Sequence, residues 1–188
     1  RFTGLTKAAT TAGFVVAYSD HRSLSLKVLD ELARIPAHIA SKWCIDTERI
    51  FLTGHSDGGT AASAIAFRQD SDLSPSAIAP SAAGLRGTDL EAVTCPRPLP
   101  VMVLHNSDDQ LFPGLGAQAA RWWASCNQCD VANPLRATDG CIEYSRCSNQ
   151  ALVRYCEHAG AHQRWPDANN RIIDFFLSNS NEAEFRQN

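Results

Sequence analysis

The sequence predicts an α/β fold in which helices flank a mainly parallel sheet. Short apolar runs alternate with segments of helical periodicity along the whole chain, which is typical of successive βα units. The chain has 188 residues, of which 44% are hydrophobic and 20% charged, an ordinary balance for one globular unit. We therefore assign residues 1–188 to a single domain.

The apolar runs mark the predicted strands. Each run holds five or six residues and is bounded by glycine, proline or polar residues. The predicted strands cover 14–18, 49–53, 76–80, 100–105 and 151–156.

The predicted helices separate these strands. They cover 5–12, a small-residue run after Gly59, 116–126 and 170–178. Apolar residues at helical spacing between 24 and 39 predict a long amphipathic helix, which Pro36 should kink or divide. The segment 127–150 is rich in Cys, Asn and Asp, and we interpret it as an irregular loop tied by disulfides.

Charge and composition narrow the classes of partner. The net charge is −3 and the basic residues are scattered, so the sequence indicates no nucleic-acid binding surface. No apolar run reaches the roughly 18 to 20 residues that cross a bilayer, so we expect no membrane insertion. Seven cysteines favour disulfides and a secreted or periplasmic location, and their odd number leaves at least one outside intrachain pairs.

The candidate nucleophile is Ser56, within Gly54-His55-Ser56-Asp57-Gly58. This match to G-x-S-x-G is weak alone, since composition gives it by chance in about one chain in fifteen. It lies between a predicted strand and a predicted helix, however, as a nucleophile elbow requires. Glycines at 54 and 58 would permit the sharp turn, and the backbone N–H of Asp57 would donate to an oxyanion.

A serine nucleophile needs a histidine base and an acid, here in the chain order Ser, acid, His. Asp108 and Asp109 follow the strand at 100–105, and His158 and His162 follow the strand at 151–156. Parallel sheets place functional residues at the carboxyl ends of their strands. The residues by themselves leave the choice within each pair open.

Three segments carry a family resemblance: IDTERIFLTGHSDGG, PLPVMVLHNSDDQLFP and YCEHAGAHQRWP. In this order they resemble the polyhydroxybutyrate depolymerase and feruloyl esterase group of secreted α/β-hydrolases. The resemblance implies an α/β-hydrolase fold and a serine esterase that cleaves polyhydroxyalkanoate, feruloyl or short-chain acyl esters through an acyl-enzyme, with no cofactor and no metal ion. The family's H-G-x-x-D-x-x-V-P pattern selects Asp109, and its glycine-rich stretch before Trp-Pro selects His162.

The chain departs from the family pattern in three places. Asn106 replaces the glycine after His105, and the stretch before Trp165 has one extra residue. The family also has an earlier strand and His-Gly loop that supply a second oxyanion donor, a role that no residue here can be assigned. We therefore expect that the N-terminal strands are lacking from this chain and lie in an upstream segment.

Position and resemblance together suggest two disulfides, Cys129–Cys147 and Cys44–Cys95. Three tryptophans either line a substrate cleft or pack in the core. They are Trp122, Trp123 and Trp165.

Two other functions remain open at this level. The first is a hydrolase-fold binding domain with impaired catalysis. The second is a zinc module, because two thiolates of a C-x-x-C pair and nearby Cys and His side chains suit tetrahedral zinc. Its candidate ligands are Cys126, Cys129, Cys156, His158 and His162. The zinc hypothesis leaves Ser56 and Asp109 without a role.

Overall fold

The computed structural model describes residues 2–20, 23–68 and 73–179. Within these residues a six-stranded sheet is flanked by helices, which confirms the predicted α/β class. The strands are β1 (Phe51–His55), β2 (Ala77–Ser81), β3 (Val101–Asn106), β4 (Leu135–Arg136), β5 (Ile142–Tyr144) and β6 (Val153–His158). The helices are α1 (Leu5–Thr11), α2 (Leu26–Ala33), α3 (Ile35–Ala40), α4 (Asp57–Phe67), α5 (Gly87–Glu91), α6 (Leu115–Cys126) and α7 (Asn169–Ser178).

The sheet is mainly parallel. Its strand order is β1-β2-β3-β6-β5-β4, and the first four of these strands run parallel to one another. β5 and β4 extend the far edge as an antiparallel pair. In the described part of the chain, β1 forms the opposite edge.

Helices cover both faces of the sheet because its central strands are apolar on both sides. On one face, Met102 and Leu104 of β3 pack with α1 and α7. On the other, Val101 and Val103 pack with the fully buried Trp123 of α6. Alternate residues of one strand thus enter two separate cores. No helix in the described ranges is long and apolar enough to cross a membrane.

Four of the five predicted strands are confirmed, with their ends displaced by one or two residues. The predicted strands at 49–53, 76–80, 100–105 and 151–156 correspond to β1, β2, β3 and β6. The predicted helix division is also confirmed, because α2 and α3 separate at Arg34 and Pro36 lies in the first turn of α3.

The predicted strand at 14–18 is wrong. This segment has no strand pairing, although Phe14 and Val16 pack against the core and Val15 is exposed. Phe14 contacts Phe51 of β1 edge-on, with ring centroids 5.7 Å apart. The apolar run predicts a buried strand, whereas its side chains are half-buried or exposed. A strand also needs a hydrogen-bonding neighbour, which the described residues do not place beside this segment.

The segment 127–150 is more regular than predicted, because it contains β4, β5 and a short 3-10 turn at Ser148–Gln150. The disulfide expected within it, Cys129–Cys147, is confirmed. The Cys44–Cys95 prediction is wrong: Cys95 pairs with Cys126 at the end of α6, while Cys44 is a free, exposed thiol. A third disulfide joins Cys141 to Cys156. The prediction from chain position failed because a disulfide requires the two Cβ atoms to lie roughly 4 Å apart.

Candidate active site

The parallel strands bring the candidate residues to one edge of the sheet. His55 of β1 lies in register with Ser81 of β2, and Asn106 of β3 lies in register with His158 of β6. The loops that leave these strands therefore start side by side. They carry Ser56, Asp109 and His162, each from a different strand.

Ser56 lies at a tight strand-to-helix turn. Its φ of 55° and ψ of −117° form a combination that residues other than glycine rarely adopt. The Ser56 N–H donates to Ser81 O at 2.9 Å, and α4 begins at the next residue, Asp57. The Asp57 N–H therefore belongs to the first turn of α4, where it has no carbonyl partner within the helix. Such a strained turn is the geometry of a nucleophile elbow.

Close backbone approach explains two of the glycines at this turn. A Cβ at Gly54 would collide with the backbone of Gly58, and a Cβ at Gly59 would lie 2.5 Å from Ser81 O. A Cβ at Gly58 would meet nothing within 4 Å. The sequence correctly identified Gly54, but the second sterically required glycine is Gly59 rather than Gly58.

Alanine at Gly59 should therefore lower the free energy of unfolding by about 1 to 3 kcal/mol, because the new methyl group forces α4 away from β2. Alanine at Gly58 is the matched control, and it should leave stability unchanged or raise it by roughly 0.4 to 1 kcal/mol. Urea unfolding of both variants measures the difference. Equal destabilisation would contradict the close approach of α4 and β2 at Gly59.

Ser56, His162 and Asp109 form one hydrogen-bonded chain. His162 Nε2 lies 2.9 Å from Ser56 Oγ, and His162 Nδ1 lies 2.8 Å from Asp109 Oδ2. The other oxygen, Asp109 Oδ1, accepts from the N–H groups of Leu111 at 3.0 Å and Phe112 at 2.8 Å. Because a carboxylate only accepts, the proton of a neutral His162 is on Nδ1, and Nε2 is free to accept from Ser56.

The other candidate of each pair lies apart from this chain. Asp108 is exposed, and its backbone N–H rather than its side chain contacts Gly160 O. The His158 ring contacts Arg171, whose Nη1 donates to His158 Nε2 at 3.2 Å. The structure therefore assembles Asp109 and His162, the two residues that the family pattern selects.

Two further side chains contact backbone carbonyl groups of His162 and of nearby residues in its loop. His55 Nε2 lies 2.6 Å from His162 O, and Asn106 Nδ2 donates to Ala161 O at 2.9 Å and to Arg164 O at 2.7 Å. Sequence analysis assigned neither residue a role. The one available signal was that Asn106 departs from the family pattern next to His105.

Phe112 and His55 flank the His162 ring, and Trp165 lies against His55. Phe112 meets His162 edge-on at a centroid distance of 4.9 Å, and Trp165 meets His55 edge-on at 5.9 Å. Trp122 and Trp123 instead pack with Phe67 and with each other in the second core. Of the three tryptophans, Trp165 is therefore the one beside the candidate site.

Burial and hydrogen bonding set the charges around the site. Burial disfavours the Asp109 carboxylate, but the hydrogen bonds from His162 and the Phe112 N–H outweigh it and lower the pKa of Asp109 below 3.8. Burial lowers the pKa of His55 and of His105 below 6.5. His105 is 2% exposed and its Nε2 lies 3.7 Å from Asp109 Oδ2. Asp109 is therefore charged, and the two flanking histidines are neutral, at pH 7.

These shifts predict that stability falls as pH drops below about 6.5. His55, His105 and His158 all have a pKa lowered by burial, so below 6.5 the unfolded chain binds protons that the folded chain does not. Each contributes a slope of up to ~1.4 kcal/mol per pH unit. Asp109 contributes to stability over a different pH range. Its contribution is present above pH 3.8 and is lost only as pH falls through the lowered pKa of Asp109 in the folded state.

Urea unfolding at pH 7.5, 6.5 and 5.5 measures this dependence. His158→Gln should flatten the slope, whereas His38→Gln on the exposed face of α3 should leave it unchanged. Stability that is constant between pH 7.5 and 5.5 would contradict the buried neutral state of these rings.

The cysteines of the zinc hypothesis are engaged elsewhere. Cys126, Cys129 and Cys156 each form a disulfide, so their thiolates cannot bind a metal ion. In the described ranges, no cluster of three His, Cys, Asp or Glu side chains has the geometry of a metal site.

Comparison with known proteins identifies the fold. Neither family models nor curated protein sequences match the chain. Among solved structures it is similar to acetyl xylan esterase from Aspergillus awamori, at 15% identity and a TM-score of 0.56, over 79% of this chain and 66% of that one. It is also similar to a putative hydrolase of the α/β superfamily from Xanthomonas campestris pv. campestris, at 15% identity and a TM-score of 0.56, over 93% and 85%.

A third similar structure is SOBER1 from Arabidopsis thaliana, at 14% identity and a TM-score of 0.54, over 82% of this chain and 63% of that one. The chain thus spans less than two thirds of the length of SOBER1 and of the acetyl xylan esterase. Together with the sheet order, these likenesses establish the α/β-hydrolase fold. The narrower resemblance to polyhydroxybutyrate depolymerases and feruloyl esterases stays a prediction.

Proposed function

We propose that this chain carries the catalytic centre of a serine esterase. Ser56 is the nucleophile, His162 the general base, Asp109 the acid that orients His162, and the Asp57 N–H an oxyanion donor. The observation that carries the proposal is the continuous chain from Ser56 Oγ through the His162 ring to Asp109 Oδ2, with contacts of 2.9 and 2.8 Å. These distances are within the range that proton transfer requires.

Acylation follows from this arrangement. Ser56 Oγ attacks the ester carbonyl carbon while its proton passes to His162 Nε2, and Asp109 stabilises the resulting imidazolium. The carbonyl oxygen becomes an oxyanion, to which the Asp57 N–H donates. Collapse of the tetrahedral intermediate breaks the bond to the alkoxy oxygen, and His162 returns the proton to the departing alcohol.

Deacylation repeats these steps with water. His162 removes a proton from a water molecule, whose oxygen attacks the acyl carbon on Ser56. The second tetrahedral intermediate collapses, the acid is released, and Ser56 Oγ regains its proton from His162. Every proton is transferred between Ser56, His162, water and the substrate, so the proposed reaction consumes only the ester and water.

The substrate class of the proposal is a carboxylic ester, either small or polymeric. The similarity to an acetyl xylan esterase and the resemblance to depolymerases and feruloyl esterases support polyhydroxyalkanoate, feruloyl or short-chain acyl esters. Phe112 beside the proposed base and Trp165 beside His55 supply apolar surface for the acyl group or its alcohol. Three disulfides support a secreted or periplasmic location.

A panel of p-nitrophenyl acetate and butyrate, methyl ferulate and a soluble hydroxybutyrate oligomer tests the proposal. We expect turnover of at least one ester, together with covalent labelling of Ser56 by a fluorophosphonate. Turnover of one acyl class identifies the substrate group. If no ester turns over and Ser56 is not labelled, the hydrolase-fold binding domain is the better interpretation.

A further inference from the structure

The loop that carries His162 is held through its backbone carbonyl groups. We define the histidine loop as residues 161–164. Asn106 Nδ2 donates to Ala161 O at 2.9 Å and to Arg164 O at 2.7 Å, and the His55 ring contacts His162 O at 2.6 Å. Three of the four carbonyl groups in this short loop thus accept from two side chains.

Both donors are themselves fixed by the sheet. His55 is the last residue of β1, and its Nδ1 lies 3.0 Å from Ser81 Oγ on β2. Ser81 O in turn accepts from the Ser56 N–H at 2.9 Å. Asn106 is the last residue of β3 and is 2% exposed. The same strand ends therefore fix Ser56 and hold the histidine loop.

The hydrogen bonds determine the tautomer of His55. A carbonyl oxygen only accepts, so His55 Nε2 carries the proton that is donated to His162 O. His55 Nδ1 then accepts from the Ser81 hydroxyl. A neutral His55 ring also avoids repulsion with the imidazolium that forms at His162 during proton transfer, since the two ring centroids are 5.5 Å apart.

We infer that His55 and Asn106 are positioning residues that place the His162 ring by donating to the carbonyl groups of the histidine loop. The inference rests on the proposed function for its kinetic consequence, because it deepens the role of His162. Neither side chain touches the reacting atoms. If the loop is released, Nε2 of His162 moves relative to Ser56 Oγ, and a displacement of about 1 Å typically costs roughly 10²-fold in rate.

Matched substitutions at His55 separate the donor from the packing of the ring. His55→Leu removes the donor, whereas His55→Gln presents an amide N–H at a similar reach. Asn106→Ala removes both bonds of the second donor. His38→Leu, on the exposed face of α3, is the control for loss of a histidine far from the loop. Thermal unfolding of each variant shows whether it folds.

Two measurements report on the His162 ring. The first is the far-downfield proton NMR resonance of His162 Nδ1–H, which depends on the contact with Asp109 and needs no substrate. The second is kcat and KM on a p-nitrophenyl ester. In His55→Leu we expect a broadened or lost resonance and a kcat lower by about 10²-fold with little change in KM. We expect His55→Gln to retain most of the resonance intensity and most of the wild-type kcat, and Asn106→Ala to resemble His55→Leu.

An unchanged resonance and kcat in folded His55→Leu would overturn the inference. Equal damage in His55→Leu and His55→Gln would also overturn it, because it would assign the effect to the ring rather than to the donor. If Asn106→Ala does not fold, the His55 pair decides. If the wild-type protein turns over no ester, the proposed function fails, while the resonance still decides whether these donors position the His162 ring.

Discussion

Ser56→Ala is expected to reduce ester hydrolysis by about 10⁴- to 10⁶-fold while the protein remains folded. The hydroxyl is the proposed nucleophile. The alanine variant also loses the hydrogen bond between Ser56 Oγ and His162 Nε2. Losing one such hydrogen bond costs roughly 0.5 to 1.5 kcal/mol of stability. Rates on a p-nitrophenyl ester and the urea midpoint measure the two effects.

Ser125→Ala is the matched control for this experiment, because it removes an exposed serine hydroxyl on α6. It should leave the rate unchanged. If Ser56→Ala retains most of the wild-type rate, another residue is the nucleophile and the proposed mechanism is wrong.

Asp109→Asn should lower kcat by about 10⁴-fold. Its Oδ1 would keep the N–H donors of Leu111 and Phe112, so the new amide NH₂ would face His162 Nδ1 in place of the carboxylate. Nδ1 would then have to accept, and the proton of the ring would move to Nε2. A histidine protonated at Nε2 cannot take the proton of Ser56.

Asp108→Asn provides the control, since this neighbouring carboxylate is exposed and outside the hydrogen-bonded chain. We expect its kcat to stay close to wild type. Equal losses in the two variants, or a larger loss in Asp108→Asn, would show that Asp109 is not the acid that orients His162.

Most of the sheet could be predicted from the sequence because burial leaves a local pattern. The strands β1, β2, β3 and β6 are short apolar runs between turn residues, and their order of appearance is that of βα units. The segment at 14–18 is a similar apolar run whose Phe14 and Val16 are half-buried against the core, but it forms no strand. An apolar run indicates that side chains contact the core, whereas strand pairing depends on whether another strand lies beside the backbone.

The disulfides also show that the sequence does not reveal contacts between distant segments. Cys129 and Cys147 are close in the chain at the two ends of one loop, and their pairing was predicted. Cys95 and Cys126 are 31 residues apart and meet only because α6 ends where the approach to β3 begins. Spacing along the chain carries no information about that encounter.

The sequence by itself determined the types of chemistry available and the order of the residues that carry it. Gly54-His55-Ser56-Asp57-Gly58 between a strand and a helix indicates the turn, and the family pattern selects Asp109 and His162. Only the tertiary structure decided which side chains fix these groups. His55, Asn106 and Ser81 come from three strands, and their hydrogen bonds to the histidine loop and the turn exist because parallel strands end at one edge of the sheet. Hydrogen-bond partners are a property of spatial neighbours, and a single sequence does not encode those neighbours as a local pattern.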